Sequence, residues 1–272
     1  MSVSVIIPTY KPQEYLFNCL DSLCLQTLNK DQFEVIIVLN GPKNPYFDLI
    51  DSYIQTHFDI INIRTLYSDI PGVSNARNKG IDEALSKYIT FIDDDDVVSK
   101  TFLEELLAKA HEDCLVISNV YGIDDTTGKA YEYLLSKEYK KIARIETPSF
   151  FTARRLLSPV WCKIIPQKVI NGDRFPTDFA LGEDSLFMFN ISRRIKDIRI
   201  TSPDAVYYVR HRNGSASRRH YSYWFRILLA FRTTFRYFFI YIRTPFSYNF
   251  PFFMTRIAAT LRKLARKAYE TE

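Results

Sequence analysis

Four consecutive carboxylates, Asp93 to Asp96, follow the apolar run that ends in Phe91-Ile92. Carboxylates this close at the end of a buried strand repel one another unless a cation neutralises them. Side chains alternate along a strand, so Asp93 and Asp95 are expected on one side, aimed together at a Mg2+ or Mn2+ ion. Both ions take oxygen ligands and commonly bridge to phosphates. The plainer reading is a solvated acidic turn ahead of a helix at Phe102. A second segment, Gly72 to Gly80 (GVSNARNKG), starts at a turn and enters a helix, so its N–H groups, Arg77 and Lys79 suit an anion. A helix with exposed basic residues is the alternative. A third, Gly182-Glu183-Asp184-Ser185, opens another helix. Acidic residues in a first turn stabilise a helix by themselves, yet a carboxylate there can also serve as general base toward a hydroxyl.

The elements that must hold these groups alternate. Ser2 to Ile7 and Glu34 to Leu39 are short β-branched runs ended by Pro8 and by Gly41-Pro42, and both read as buried strands. Between them, Pro12 to Leu28 places Tyr15, Leu16, Cys19, Leu20, Leu23 and Leu28 on one helical face. Ile60 to Leu66, Tyr88 to Ile92 and Leu115 to Val120 read as further strands, with helices over Ser74 to Ser86 and Phe102 to Ala110. Such alternation implies an α/β fold with a mainly parallel sheet and helices on both faces, and ligands of such sheets bind at the carboxyl ends of strands. Beyond Asp124 the pattern loosens until a helix over Ser185 to Ile195. We divide the chain into 1–219, with a nucleotide-binding half (1–124) and an acceptor-side half (125–219), and a helical, basic, aromatic region over 220–272.

The chain has 272 residues, 47% apolar and 25% charged, a globular balance that excludes disorder. Its net charge of +5 hides a polar distribution, because Ala205 to Glu272 holds 13 basic residues against 2 acidic ones. Cysteines at 19, 24, 114 and 162 show neither disulfide nor zinc spacing, which suits a reducing compartment. The amino terminus enters a strand directly, without the pattern of a secretion signal, so a cytosolic location is expected. No stretch reaches the roughly 18 apolar residues of a spanning helix.

The ordered set Val5-Ile-Ile-Pro-Thr-Tyr-Lys11, Gly72 to Gly80, Phe91 to Asp96 and Gly182 to Ser185 resembles family 2 of the inverting glycosyltransferases, of the GT-A fold, over roughly residues 2 to 215. The resemblance implies that Pro8, Thr9 and Tyr10 line the nucleotide pocket and that Arg77 lies near the base or diphosphate. It places Asp93 near the ribose with Asp94 beside it, Asp95 on a Mn2+ or Mg2+ ion, and Asp96 beside the donor sugar. Asp184 matches the family's base, with Glu183 adjacent, and Trp161 lies where an acceptor-binding aromatic is often found. One departure concerns the nucleobase. Leu39-Asn40-Gly41-Pro42 replaces the usual Asp-Asp-Gly-Ser, so Asn40 is left to read a base expected to be uracil. His211 and Arg212 are expected over the diphosphate or the metal. The resemblance thus implies transfer of a sugar from a nucleotide diphosphate, UDP favoured, to a hydroxyl of a glycan or lipid-linked acceptor, in synthesis of surface polysaccharide.

Two other readings remain. Asp93, Asp95 and Val97 also fit the nucleophile motif of haloacid-dehalogenase-type phosphatases, although that strand usually comes near the start of a chain. A non-catalytic module binding membrane or nucleic acid is the other, since Tyr221 to Ile242 interleaves aromatics with arginines. Such a stretch suits an anionic membrane surface and predicts a peripheral location on the inner face of the cell membrane. Nucleic acid is the weaker partner, because the first 204 residues carry 23 basic against 29 acidic residues. A helical bundle burying its aromatics is the alternative for this region.

Overall fold

Seven consecutive buried residues, Val3–Thr9, form strand β1 at the centre of the molecule, and Phe33–Asn40 forms an equally buried β2 beside it. Runs without a polar face are what a sheet covered on both sides requires. In this computed structural model, which describes residues 1–57, 62–211 and 222–268 and side chains as far as 262, helix α1 (Glu14–Cys24) connects them. Leu16, Cys19, Leu20 and Leu23 of the expected face are buried and Tyr15 is half-buried, while Leu28 lies past the end of the helix. The chain continues through α2 (Tyr46–His57), β3 (Asn62–Ser68), α3 (Val73–Glu83) and β4 (Tyr88–Phe91). Then come β5 (Val97–Val98), α4 (Phe102–Ala108), β6 (Cys114–Ile117), β7 (Asn119–Asp124) and β8 (Ala130–Tyr131). The acceptor-side stretch holds α5 (Leu134–Ile142), α6 (Phe150–Ala153), β9 (Lys163–Pro166), α7 (Gln167–Ile170) and α8 (Glu183–Ile191), followed by β10 (Asp197–Ile200) and β11 (Val206–His211). Helices α9 (Tyr223–Arg243) and α10 (Phe250–Ala268) close the described chain.

The main sheet has seven strands in the order β10-β6-β9-β4-β1-β2-β3. All its pairings are parallel except those of β9, which runs antiparallel to both β4 and β6. The expected mainly parallel α/β sheet is therefore present. A second sheet, β5-β11-β7-β8, stands beside it. The run Leu115 to Val120 was expected as one strand, but it divides at Ser118 between the two sheets. The Ser118 N–H and hydroxyl both bond the Cys162 carbonyl, at 2.9 and 3.2 Å, the last bonds toward β9 before the Asn119 N–H turns to the Ala205 carbonyl at 3.0 Å. Pro8 does not end β1 either. It pairs opposite Val38, and the strand runs on to Thr9, because proline lacks only the N–H.

Helix α3 lies close on β1: a Cβ at Gly80 would collide with the Ile6 side chain, so only glycine permits this approach. Residues 1–9 and 72–80 are thereby fixed relative to one another. Helix α9 packs on α8 and α10 on α6, so the carboxy-terminal helices rest on the acceptor-side stretch. Arg256 of α10 is buried there, donating to Ser158 Oγ and to the Arg154 carbonyl, each at 2.6 Å.

Candidate active site

The aspartates do not continue β4. The strand stops at Phe91, and Asp93 to Asp96 form a tight turn closed by the Asp96 N–H on the Asp93 carbonyl at 3.1 Å. Strand alternation therefore does not govern them, which corrects the expected pairing of Asp93 and Asp95 on one side. The four residues are instead held by different partners. Asp93 Oδ1 accepts from Arg77 at 2.9 Å, and Asp94 Oδ2 accepts from the Thr9 hydroxyl at 2.5 Å. The Asp95 carbonyl accepts from Arg210 Nε at 3.1 Å. Asp96, expected beside the donor sugar, is turned inward and is 2% exposed. Its oxygens accept from the Tyr207 hydroxyl at 2.7 Å and the Arg210 N–H at 2.8 Å. Burial, then the charges of Asp93 and Asp95, push its pKa well above the carboxylate range. Fixed donors on separate sides hold the carboxylates of Asp93, Asp94 and Asp96 within one turn.

Arg77 is the hub. It was expected to face the base or diphosphate, but it is 3% exposed and lies among three carboxylates. Nη2 donates to Asp93, while Nη1 donates to Asp184 Oδ1 at 2.6 Å and lies 3.5 Å from Glu183 Oε1. The Phe175 ring covers the guanidinium, its centroid 5.5 Å away. Burial alone would lower the pKa of Arg77, but Asp184, Asp93 and Glu183 outweigh it and raise it. Glu183 and Asp184 form the first turn of α8, entered through Gly182 at φ +86, a conformation that favours glycine. Asp184 Oδ2 also accepts the Val160 N–H at 3.3 Å. Burial raises the pKa of both acids, against the pull of Arg77, and that of Glu183 reaches about 7.

On the nucleotide side, Pro8 and Thr9 are buried beneath the surface, while Tyr10 is 59% exposed with its ring against Gly41. Asn40, expected to read the nucleobase, is committed elsewhere. Its Oδ1 accepts the Gly72 N–H at 2.6 Å and its Nδ2 donates to the Ile70 carbonyl, so it ties the end of β2 to the entry of α3.

Trp161 stacks on Tyr207 at 4.9 Å and 16°, half-buried and one residue from the N–H that Asp184 holds. Its platform is thus joined to the aspartate turn, since the Tyr207 hydroxyl also accepts the Asp93 N–H at 3.0 Å. His211 ends β11 with its ring bonded to the Tyr131 hydroxyl and edge-on to Tyr133 at 5.5 Å. Its neighbour Arg210, like Tyr207 of the same strand, sends its side chain to the aspartate turn. Arg212 lies outside the described residues.

Three participants were not singled out in the sequence. Tyr207 and Arg210 are brought to the turn by the pairing of β11 with β5, a pairing between distant segments that no local pattern announces. Lys163 is fully buried, and its Nζ donates to the carbonyls of Pro159 at 2.6 Å and Trp161 at 2.7 Å. It fixes the loop whose Val160 N–H meets Asp184. A lysine following Trp161 among apolar residues was the available signal.

The donor set suits a hard divalent cation. Carboxylate oxygens are the ligands Mg2+ and Mn2+ prefer, and Asp96 is turned inward. Asp95, expected on such an ion, is half-buried in the turn, as are Asp93 and Asp94.

Comparison with known proteins agrees with this geometry. The model of the family described as "Glycosyl transferase family 2" matches residues 4–165. The poly(ribitol-phosphate) beta-glucosyltransferase of Bacillus spizizenii is 27% identical over 220 residues, covering 79% of this chain and 33% of that protein. Glycosyltransferase GlyA of Streptococcus pneumoniae is 25% identical over 241 residues, 84% of this chain and 33% of its own length. The chain therefore spans about a third of these two relatives. Among solved structures, Staphylococcus aureus TarS (1–349) in complex with UDP-GlcNAc superposes with a TM-score of 0.67 at 22% identity, covering 86% of this chain and 66% of that one.

Proposed function

The chain belongs to glycosyl transferase family 2, and from that premise we propose that it transfers a sugar from a UDP-sugar to a hydroxyl of a glycan or lipid-linked acceptor, with inversion at the anomeric carbon. The observation that carries this reading is the bridge of Arg77 between Asp93 and Asp184. One rigid guanidinium fixes the donor-side turn and the base at a set separation. Against the phosphatase alternative, the family 2 match over residues 4–165 includes the aspartate turn itself.

Asp184 takes the proton of the acceptor hydroxyl as its oxygen bonds to the anomeric carbon. The bond from that carbon to the diphosphate oxygen breaks in the same displacement, and the electron pair leaves with the nucleotide. Trp161 offers the acceptor an apolar face beside Asp184, and Tyr10 stands exposed at the carboxyl end of β1 for the nucleobase. Asp95 would hold a Mg2+ or Mn2+ ion, whose chemistry is to neutralise the departing diphosphate. The relatives named for poly(ribitol-phosphate) and the structure with UDP-GlcNAc support this donor and acceptor chemistry. We place the reaction at the inner face of the cell membrane, with α9 and α10 toward the lipid.

Thermal unfolding with UDP, GDP or CDP, each with and without Mn2+, tests the donor half. A nucleotide held at 100 times its dissociation constant adds about 2.7 kcal/mol. We expect a metal-dependent rise in Tm with UDP; no rise with any diphosphate overturns the assignment.

A further inference from the structure

Helix α9 keeps two faces apart. Ala230, Thr233 and Tyr237 are buried, with the Tyr237 hydroxyl 2.6 Å from Ser185 Oγ of α8. On the opposite side Trp224, Leu228, Phe231, Phe235, Phe238 and Ile242 follow one another at spacings of three and four, the period of a single helical stripe. All six are exposed, Trp224 by 76%, Phe231 by 73% and Phe235 by 70%. Large aromatics in a row this long are not ordinary solvent-facing surface.

The charge beside the stripe indicates what covers it. At 100° per residue, Arg232, Arg236 and Arg243 fall together along one edge. No acidic residue occurs between Ala205 and Tyr269. Behind that edge, between α8 and α9, lies a cleft of about 550 Å3 lined by Arg174, Arg193, Arg236 and Arg243, with Asp173 as its acid. The Asp173 carboxylate is already engaged by Arg193, at 3.0 Å, and by Arg194. Arg243 lies over the Phe239 ring at 4.3 Å, and Arg236 has no acidic partner among the described residues. An apolar stripe with a basic edge opening into an arginine-lined cleft is complementary to a phospholipid surface, acyl chains to the stripe and phosphates to the arginines.

We propose that α9 lies in the headgroup layer of an anionic phospholipid bilayer, its aromatic stripe inserted, and that the cleft between α8 and α9 binds the phosphate of a lipid headgroup. This deepens the membrane placement proposed above. No described helix is long and apolar enough to cross a membrane, in keeping with a helix lying flat. Self-association through the same face would juxtapose two arginine rows, so a second copy is the poorer occupant. The same α8 carries Asp184 in its first turn and Asn190 at the cleft, about 9 Å apart along the helix axis. A phosphate in the cleft would therefore tether an acceptor close to the base.

Sedimentation of the full chain with vesicles of phosphatidylcholine alone, or with phosphatidylglycerol added, tests this. Binding is expected only with the anionic lipid. It should weaken at least tenfold in Arg236→Glu/Arg243→Glu, be lost in Phe231→Glu/Phe235→Glu, and persist in millimolar inorganic phosphate, which lacks acyl chains. The UDP-dependent rise in Tm is read in every variant as an independent measure of the nucleotide half. A chain that keeps this rise yet ignores anionic vesicles overturns the lipid assignment alone. So does binding indifferent to both double variants, a stable dimer broken by the phenylalanine changes without vesicle binding, or capture of single-stranded RNA in place of vesicles.

Discussion

Arg77 Nη1 lies 2.6 Å from Asp184 Oδ1 while Nη2 of the same guanidinium lies 2.9 Å from Asp93 Oδ1, so one planar group sets the distance between Asp184, the proposed base, and the aspartate turn. The two aspartates come from segments 91 residues apart, and α3 supplies the joint. In the proposed mechanism Arg77 is a positioning residue, since it holds Asp184 and its own burial keeps it from the substrate.

Removing that joint leaves Asp93, Glu183 and Asp184 without their shared cation. Arg77→Ala is expected to destabilise the chain by about 3–5 kcal/mol, the usual cost of breaking a buried pair. Arg77→Lys keeps a charge but not the two-pronged geometry. It should fold, bind UDP with an unchanged midpoint and turn over at least tenfold more slowly. Urea unfolding and kcat at saturating donor check both, and an alanine variant as stable as the parent would show that the bridge is not structural.

Much of this arrangement was legible, and the reasons are local. A short β-branched run such as EVIIVL, stopped by Gly41-Pro42, reads as a strand buried on both faces, and the apolar spacing of α1 marks its inward side. The misreadings came where partners distant in sequence decide. Asp93 to Asp96 looked like a strand end because nothing nearby reveals the turn bond or the claim of Tyr207 and Arg210 on Asp96. Strand β9 entered the middle of a parallel sheet because β4 and β6 offered it free edges, a fact of tertiary pairing. Arg77 was read as a ligand-facing cation because cations are seldom buried, and only the assembled site shows the acids that hold it inside.

Asn40 offers a separate check of one correction. Its two amide atoms bind the Gly72 N–H and the Ile70 carbonyl, so Asn40→Ala leaves the Gly72 N–H without that acceptor and the Ile70 carbonyl with the Ser68 hydroxyl at 3.3 Å. A loss of about 1–3 kcal/mol is expected. The preference for UDP over CDP should be unaffected, because the amide does not face the base. If the stability holds and the nucleotide preference relaxes, Asn40 reads the base after all.

Asp184→Asn separates binding from proton transfer. The amide retains the size of the side chain and an oxygen for Arg77, so the UDP-dependent rise in Tm should survive. Turnover should fall by about two to four orders of magnitude, the contribution of a positioned base. Product formation under single-turnover conditions measures it. Near-normal turnover would move the role of base to Glu183, whose carboxylate lies 3.5 Å from the same arginine nitrogen.

Glu183 also makes stability depend on pH. Burial, with Asp184 beside it, raises its pKa from 4.5 to about 7 in the folded chain. Between those values the folded state binds more protons than the unfolded state, so stability declines as pH rises through the window and levels off above pH 7. The full effect is about 2–3 kcal/mol, allowing for sharing of the proton with Asp184. Glu183→Gln carries no titrating group and still accepts from Arg77. Its urea midpoint should change less between pH 5 and 8 than that of the parent, and it should be the more stable of the two at pH 8. Parallel curves for the two chains would locate the proton on another residue and return Glu183 to an ordinary ionised partner of Arg77.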